Sequence, residues 1–355
     1  MHWTSLPGDT LAALRAGSVI PAHLLALNAD RTLDTDRQRA LTRYYLDAGV
    51  GGLAVGVHST QFAIREARLY RPVLELAIKT AQDWIPLGGR RPLVMVAGLA
   101  GRTEQAVNEA RTARDLGYHA GLLSLAAFPG AGEAELIAHC KAVADVMPLM
   151  GFYLQPAVGG LSLSQSFWRC FSGIDNVVAI KMAPFNRYRT QDVIRGVLAA
   201  KAEDRVTLYT GNDDHIVLDL LTPFTFMREG RPVTIRVRGG LLGHWSVWTE
   251  RAVHVFERIQ KAVRAQRIDA DLLTLDAQIT DCNAALFDVA HDFRGCIAGC
   301  HEVLRRQGLF KGIWCLDPQE SLSPGQAEAL TRVQNDYPHL VDDAFVTKNL
   351  GRWLE

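Results

Sequence analysis

The sequence predicts an α/β fold, a (β/α)₈ TIM barrel followed by a helical C-terminal extension. Eight short apolar runs recur along the chain, and each is followed by a segment of about 10 to 20 residues with helical spacing. The runs are almost continuously apolar, which is typical of parallel strands buried on both faces. Even spacing, and the lack of a glycine-rich dinucleotide turn after the first run, favour a closed barrel over an open sheet.

Each repeating unit contains a strand and a helix. The strands are predicted at residues 19–27, 53–57, 93–97, 121–125, 149–154, 177–180, 206–209 and 233–237. Helices are predicted at residues 34–48, 102–116, 133–146, 164–171, 188–201, 213–227 and 245–265. Asp34 is a favourable N-cap for the first of these helices, and Gly49 is a favourable stop. The seventh unit is the least regular, since Pro223 and the turn at 228–232 interrupt its pattern.

The strand pattern ends near residue 265. Three further helices are predicted at residues 269–287, 295–307 and 324–336. We therefore expect a barrel domain at residues 17–265 and a helical appendage at residues 266–355.

Composition restricts the function classes. The 355 residues include 38 basic and 38 acidic ones, so no charge excess indicates nucleic-acid binding. Residues 1–7 lack the basic and apolar regions of a signal peptide, and no apolar run approaches the roughly 20 residues of a membrane helix. Six cysteines, four of them after residue 280, do not form a disulfide framework in a chain of this length. We expect a cytoplasmic protein that binds neither nucleic acid nor membrane.

Lys181 is the first candidate for chemistry. It follows the apolar run 176–180, and the active sites of such barrels lie at the C-terminal ends of the strands. Burial lowers the pKa of an ammonium and makes the neutral amine available. A neutral amine attacks a ketone to give an imine, whose positive nitrogen accepts electrons. The alternative is a structural lysine that extends to solvent or pairs with a carboxylate.

Tyr153 lies near the end of the preceding predicted strand, so its side chain and that of Lys181 can converge in one pocket. A phenol that is oriented by a partner can transfer protons during imine formation and carbon–carbon cleavage. The alternative is a tyrosine that closes the barrel top with its hydroxyl on water.

These residues carry a resemblance to a known family. Residues 151–156 (GFYLQP), followed after 24 residues by Lys181, resemble the dihydrodipicolinate synthase and N-acetylneuraminate lyase family. Residues 48–53, 94–98 and 209–214 resemble further segments of that family, and the likeness extends over residues 17–340. The chain is identified as a divergent member of this group of Schiff-base (class I) aldolases.

The resemblance implies roles for the matched residues. Lys181 is implied to form the imine, and Tyr153 to relay protons beside the substrate carboxylate. Ser59 and His58 occupy the place of paired threonines that bind this carboxylate. Ser59 keeps a hydroxyl there, whereas His58 introduces an imidazole that serves as an acid or base, or else is a buried structural histidine.

The turn after the seventh strand is matched as well. Gly211, Asp213 and Asp214 correspond to a glycine–acid turn whose acids bind substrate hydroxyls in the sugar-acid lyase branch. The alternative is that Asn212 or Asp213 caps the seventh helix, where a carboxylate meets the positive end of the helix dipole.

Two departures argue against the synthase reaction. Phe128 stands where the synthase branch has a tyrosine that reaches the neighbouring subunit. Val158 stands where that branch has an arginine for a second substrate carboxylate. We therefore do not expect dihydrodipicolinate synthesis, and a hydrophobe at position 158 is similar to the sugar-acid lyase branch.

Two other groups have simpler explanations. One is a set of possible zinc ligands in the appendage: His291, Cys296, Cys300 and His301. Packing between helices explains these residues better than a metal. Arg236 and Arg238 either face a carboxylate in the pocket or form surface ion pairs, and we favour the ion pairs.

We therefore expect a Schiff-base lyase of the aldolase type that acts on pyruvate or a pyruvate-derived 2-oxo acid. The same enamine can expel water, so a dehydratase for a 2-oxo-3-deoxy sugar acid is an alternative. A barrel that binds a 2-oxo acid without turnover is a second alternative. No metal or organic cofactor is expected, because the lysine itself supplies the electron sink. The resemblance implies a homodimer or homotetramer.

Overall fold

The computed structural model describes residues 1–85 and 92–355. These residues form two compact units. Unit 1 comprises Met1–Ser18 and Val94–Leu241, and unit 2 comprises Val19–Leu93 and Leu242–Glu355. The proposed boundary between a barrel and an appendage at residue 265 stays a prediction.

Strands and helices alternate along the described residues. The strands are β1 (Val19–Pro21), β2 (Gly52–Val55), β3 (Val94–Leu99), β4 (Ala120–Leu123), β5 (Leu149–Leu154), β6 (Val177–Ala183), β7 (Thr207–Thr210), β8 (Pro223–Arg228) and β9 (Arg231–Leu242). The helices are α1 (Gly8–Ala16), α2 (Thr35–Ala48), α3 (Tyr70–Trp84), α4 (Thr103–Leu116), α5 (Glu133–Ala144), α6 (Gln165–Ser172), α7 (Arg187–Ala199), α8 (Ile216–Leu221), α9 (Thr249–Ala265), α10 (Asp271–Leu286), α11 (Cys296–Arg306), α12 (Gln326–Asp336) and α13 (Asp343–Leu354).

Unit 1 holds a parallel sheet with the strand order β9-β7-β6-β5-β4-β3. Its strands β3 to β7 are buried along their whole length, as the nearly continuous apolar runs predict for a sheet covered on both faces. Helices α6 and α7 start at polar caps, where Ser164 accepts from the Phe167 N–H and Asn186 from the Arg189 N–H.

The helix predicted for the seventh unit is wrong in its extent. Residues 213–227 do not form one helix: α8 spans only Ile216–Leu221, and the chain then enters β8. Strand β8 pairs antiparallel with β9, from Pro223 opposite Arg236 to Arg228 opposite Arg231. Alternate β8 side chains are exposed, which is the period of a strand with one solvated face. The predicted turn at 228–232 therefore closes a hairpin.

Unit 2 contains β1, β2 and the helices around them. Strands β1 and β2 are neighbours, because Ala22 and Ala54 form a parallel bridge and the His23 N–H donates to the Ala54 carbonyl over 2.8 Å. The end signals of α2 are confirmed. Asp34 accepts from the Arg37 N–H, and Gly49 ends the helix in the left-handed conformation.

The C-terminal helices of unit 2 pack on α2. The Tyr44 hydroxyl donates to the buried carboxylate of Asp342 over 2.7 Å, and its ring lies 5.4 Å from that of Trp353. Burial raises the pKa of Asp342 to about 6. Trp353 belongs to α13, a helix that the sequence pattern did not predict, and it is fully buried. None of the helices in the described residues has the length and hydropathy that a membrane span requires.

One arginine anchors the start of β6, the strand that carries Lys181. The Arg205 guanidinium donates to the carbonyls of Ser172 (2.6 Å), Ile174 (3.0 Å) and Asp175 (3.1 Å), and also to that of Val177. These carbonyls lie at the end of α6, in the connection to β6 and at the first residue of β6. A single side chain therefore gives a charged donor to several backbone carbonyls of this tight connection, one of which, that of Ile174, also accepts from the Val177 N–H.

We expect Arg205→Met to lower the free energy of unfolding by about 2–4 kcal/mol, because several carbonyls lose a charged donor at once. Denaturant unfolding measures this change. The control is Lys201→Met, whose ammonium pairs with Glu229 on the surface and which should change stability little. Equal effects of the two substitutions would contradict the anchoring role of Arg205.

Candidate active site

Lys181 lies between two aromatic residues of the neighbouring strands. The register pairs it with Phe152 on β5 and with Tyr209 on β7. Paired residues of parallel strands present their side chains on the same face of the sheet. The Lys181 Nζ lies 4.5 Å from the centroid of the Phe152 ring, so the ring face helps to stabilise the ammonium form.

Burial makes the Lys181 amine easier to deprotonate. The residue is only 8% exposed, and loss of hydration lowers its pKa from 10.5 to about 8. The carboxylate of Asp213 opposes this change, because it favours the charged amine. The amine is therefore partly neutral in slightly alkaline solution, as the sequence analysis predicted for a buried lysine.

Gly211 allows the Lys181 side chain to take this position. A Cβ atom at Gly211 would lie 2.5 Å from the Lys181 Cε and 2.8 Å from the Ala183 Cβ. Both distances are well inside van der Waals contact. The Gly211 N–H donates to the Met182 carbonyl over 2.7 Å, so the backbone after β7 is held against β6. A larger residue at 211 forces the lysine to move.

The acidic turn brings one carboxylate to Lys181 and another to an arginine. Asp213 is buried and acts on the amine. Asp214 accepts from Arg187 Nη2 over 3.2 Å. The alternative of an N-cap at Asn212 or Asp213 is wrong, because the N-cap of α8 is His215.

Residues that the sequence analysis missed surround this turn. Asp219, on α8, is 1% exposed and accepts from three side chains. The donors are Thr210 Oγ1 (2.7 Å), Asn212 Nδ2 (2.9 Å) and Arg187 Nη1 (3.2 Å). Burial raises the pKa of Asp219, and Arg187 opposes that change. A lone acid in the apolar helix IVLDLL is the sequence feature that could have revealed this group.

Tyr153 is not directed towards Lys181. It pairs in register with Met182, one position beyond the lysine, and strand alternation therefore places it on the opposite face. Its ring lies 5.2 Å from that of Trp168 on α6, and its hydroxyl donates to the Leu163 carbonyl over 3.2 Å. The expected convergence of the two side chains is wrong in this structure, and Phe152 contacts the amine instead. A proton-relay role for Tyr153 stays a prediction.

His58 and Ser59 belong to unit 2. They form a 3₁₀ turn, His58–Thr60, directly after β2, and both are half-buried. The Ser59 hydroxyl donates to the Ala22 carbonyl over 3.3 Å, and the His58 ring contacts that of Phe62 edge-on at 5.8 Å. Within the unit the turn is well anchored. The substrate roles of the two residues stay predictions.

The remaining candidates have structural partners. Phe128 is buried, with its ring 4.5 Å from that of His139 and under the Arg102 guanidinium at 4.7 Å. Arg236 donates to the Leu221 carbonyl over 2.9 Å, a backbone contact rather than the favoured ion pair. Cys300 and His301 are buried in α11. Among residues 1–85 and 92–355, no group of three or more histidine, cysteine or acidic side chains is arranged to bind a metal ion.

Comparisons with known proteins match this chain to one family model and to curated relatives. The model of the dihydrodipicolinate synthetase family matches residues 15–223. A 4-hydroxy-tetrahydrodipicolinate synthase from Mycolicibacterium paratuberculosis is 27% identical over 329 residues, 90% of this chain and 94% of that protein. One from Stenotrophomonas maltophilia is 28% identical over 178 residues, 50% of this chain. The match spans 57% of the length of that relative.

Solved structures match over most of the chain. A chloride-inhibited dihydrodipicolinate synthase from Acinetobacter baumannii, complexed with pyruvate, has a TM-score of 0.72 at 20% identity, over 91% of this chain and 99% of that one. N-acetylneuraminate lyase from Fusobacterium nucleatum has a TM-score of 0.70 at 16% identity, over 91% and 99%. At these identities the likeness shows the fold. The predicted fold, a (β/α)₈ TIM barrel with C-terminal helices, is confirmed.

The fold and the buried strand lysine define a TIM barrel with a partly neutral amine on its sixth strand. The chain belongs to the dihydrodipicolinate synthetase family. The resemblance on which the sequence analysis relied is thereby confirmed.

The close approach of Gly211 to Lys181 gives a direct test of the site. We expect Gly211→Ala to displace the lysine side chain and to lower the free energy of unfolding by about 1–3 kcal/mol, because a well-packed site resists an added methyl group. Thermal unfolding measures the change in stability, and the reactivity of Lys181 towards a small amine-reactive reagent measures the displacement of its side chain.

The control is Gly351→Ala on α13, where no atom lies within 4 Å of the added Cβ. This control should raise the free energy of unfolding by up to about 1 kcal/mol, because alanine is the better helix former, and should leave the reactivity of Lys181 unchanged. Unchanged reactivity of Lys181 in Gly211→Ala would show that the lysine does not need the space above position 211.

Proposed function

We propose that this protein is a lyase in which Lys181 forms a Schiff base with pyruvate or with a 2-oxo acid that yields pyruvate. The observation that carries the proposal is the buried amine, with its pKa lowered to about 8 beside the carboxylate of Asp213. Membership of the dihydrodipicolinate synthetase family supports it. A relative of the same fold is described in complex with pyruvate.

The proposed reaction begins when the neutral Nζ of Lys181 attacks C2 of the 2-oxo acid. The hydroxyl of the carbinolamine takes up one proton from solvent and leaves as water, while the nitrogen lone pair forms the C=N bond of a protonated imine. A base removes the proton of the C4 hydroxyl, cleavage of the C3–C4 bond leaves its electron pair on C3 as an enamine, and C4 departs as an aldehyde. Protonation of C3 and hydrolysis then release pyruvate and restore the lysine.

Asp213 has a proposed electrostatic role in these steps. Its carboxylate favours the positive form of the Lys181 nitrogen, and the protonated imine carries positive charge on that same nitrogen. Asp213 therefore stabilises the intermediate, at the cost of a slightly higher amine pKa. We further propose that Gly211 and the acids of its turn, Asp213 and Asp214, bind hydroxyls of the substrate.

The roles of the other residues of the site are proposals as well. Ser59 would donate to the carboxylate of the 2-oxo acid, and His58 would act as an acid or base. Tyr153 would relay protons, although its hydroxyl contacts the Leu163 backbone. Rotation of that phenol towards the lysine would have to break this contact. A homo-oligomeric state and a cytoplasmic location also stay predictions.

The substrate is proposed to differ from that of the named synthase relatives. Val158 and Phe128 lack the charged group and the hydroxyl that the resemblance assigns to dihydrodipicolinate synthesis. The enamine can also expel a leaving hydroxyl, which would make the protein a 2-oxo-3-deoxy sugar acid dehydratase. Product analysis separates the two reactions, since one gives pyruvate and an aldehyde and the other a dehydrated oxo acid.

Reductive trapping tests the proposed nucleophile. With pyruvate and borohydride, we expect one reduced pyruvyl group to be added irreversibly to Lys181, because hydride reduces an imine to a stable amine. Peptide mapping by mass spectrometry locates the added mass. Lys201→Ala, which removes a surface lysine, is the matched control and should be labelled like the wild type.

Lys181→Ala should lose the label. If that variant is labelled to the same extent at another position, Lys181 is not the nucleophile. If the wild type binds pyruvate but is never trapped, the protein is a binding barrel and the proposed lyase activity is wrong.

The pH dependence follows from the lowered pKa of Lys181. Only the neutral amine attacks, so the rate of trapping at low pyruvate concentration should rise with pH and level off above about 8. Asp213→Asn should move the midpoint to lower pH, because the lost carboxylate had favoured the ammonium. A wild-type midpoint near 10.5, the ordinary value for lysine, would contradict the burial argument.

A further inference from the structure

We propose that Asp219 is a positioning residue of the Lys181 site, whose carboxylate joins the loop after β6 to the loop after β7 and so keeps Asp213 beside the amine. The effect on catalysis rests on the function proposed above. The positioning itself is measurable without any substrate.

The carboxylate of Asp219 is buried and fully engaged. Its Oδ2 accepts from Thr210 Oγ1 and Asn212 Nδ2, and its Oδ1 accepts from Arg187 Nη1. A buried carboxylate is costly unless charge and hydrogen bonds compensate it. The arrangement is therefore stable only when donors from β7, the following loop and α7 are all in place.

The first connection runs through Asn212, which is fully buried. Its amide nitrogen donates to Asp219, which orients the side chain so that Oδ1 faces the loop after β6. That oxygen accepts from the Phe185 N–H over 3.1 Å. Phe185 has a φ of +49°, a left-handed conformation that non-glycine residues rarely adopt. Asp219 thus fixes the amide that holds a strained residue four positions after Lys181.

The second connection runs through Arg187. One end of its guanidinium donates to Asp219 and the other donates to Asp214. Asn212 and Asp214 are the neighbours of Asp213 in the chain, and both are tied to Asp219 directly or through Arg187. The carboxylate of Asp219 therefore restrains the residues on both sides of the one that acts on Lys181.

Among the described residues, the Lys181 amine and the Asp219 carboxylate each interact with a small set of groups. Lys181 is next to Phe152 from β5, Tyr209 from β7 and Asp213 from the loop. Burial raises the pKa of the Tyr209 phenol above its ordinary value of 10.0, so the phenol stays uncharged near neutral pH. Asp219 interacts with Arg187 from α7 and with His215 just before α8. Loosening of the turn therefore acts on the amine mainly through Asp213.

The test measures the reactivity of Lys181 in Asp219→Asn with cyanate, a small reagent that carbamoylates neutral amines. The rate is read from the Lys181 peptide by mass spectrometry across the pH range. We expect the midpoint of the pH dependence of this rate to fall by on the order of half a pH unit, which is about a threefold change in the protonation constant of the amine. The shift should have the direction of Asp213→Asn and be smaller.

The matched control is Glu203→Gln. Glu203 also forms a largely buried pair with an arginine, 2.6 Å from Arg228, but it lies before β7 rather than after it. This control should lower thermal stability without moving the Lys181 midpoint. If Asp219 only stabilised the fold, Asp219→Asn would give the same result as Glu203→Gln: lower thermal stability with an unchanged Lys181 midpoint.

Two variants of Thr210 keep the test decisive if Asp219→Asn does not fold. Thr210→Val removes the hydroxyl that binds Asp219 and should move the midpoint in the same direction, whereas Thr210→Ser keeps the hydroxyl and should restore the wild-type value. An unchanged or raised midpoint in folded Asp219→Asn, or in Thr210→Val, overturns the proposal. A shifted midpoint in a protein that pyruvate never traps supports positioning while it refutes the lyase.

Discussion

The desolvation of one amine is the constraint on which this site depends. Strand register sets Phe152 and Tyr209 on either side of Lys181, and Gly211 leaves just enough room for its side chain. Loss of water lowers the pKa of the amine, while Asp213 limits the decrease. The balance of these two effects leaves the amine partly neutral in slightly alkaline solution, beside a carboxylate that favours positive charge on its nitrogen.

Local features of the sequence were sufficient for most of the fold. Strand β5 was predicted with its observed bounds, Leu149–Leu154, because a buried parallel strand is apolar throughout. The ends of α2 followed from Asp34 and Gly49. The hairpin of β8 and β9 was not predicted in full, since residues 223–227 continue the apolar spacing of α8 and only their pairing with β9 makes them a strand.

The site was predicted in part, and the errors have a common cause: they concern contacts between separate elements of the chain. Lys181 follows from its position at the end of an apolar strand, whereas Gly211 and Asp213 follow from the resemblance of their turn to that of the family. The direction of Tyr153 depends on a register that a single residue changes, which moves a side chain to the opposite face. Asp219 acquires its role from donors on other elements, such as Arg187, which lies 32 residues earlier in the chain. No pattern within a short window shows such a contact.

The missing side chain at position 211 links two positions of the sequence. While a lysine occupies position 181, an alanine at 211 collides with its aliphatic stem. A descendant that replaces the lysine with a short residue loses that collision, but a Cβ at 211 would still lie 2.8 Å from the Ala183 Cβ. A side chain at 211 in a divergent copy of this barrel therefore indicates that the residues at 181 and 183 have both changed, and that the lysine is gone.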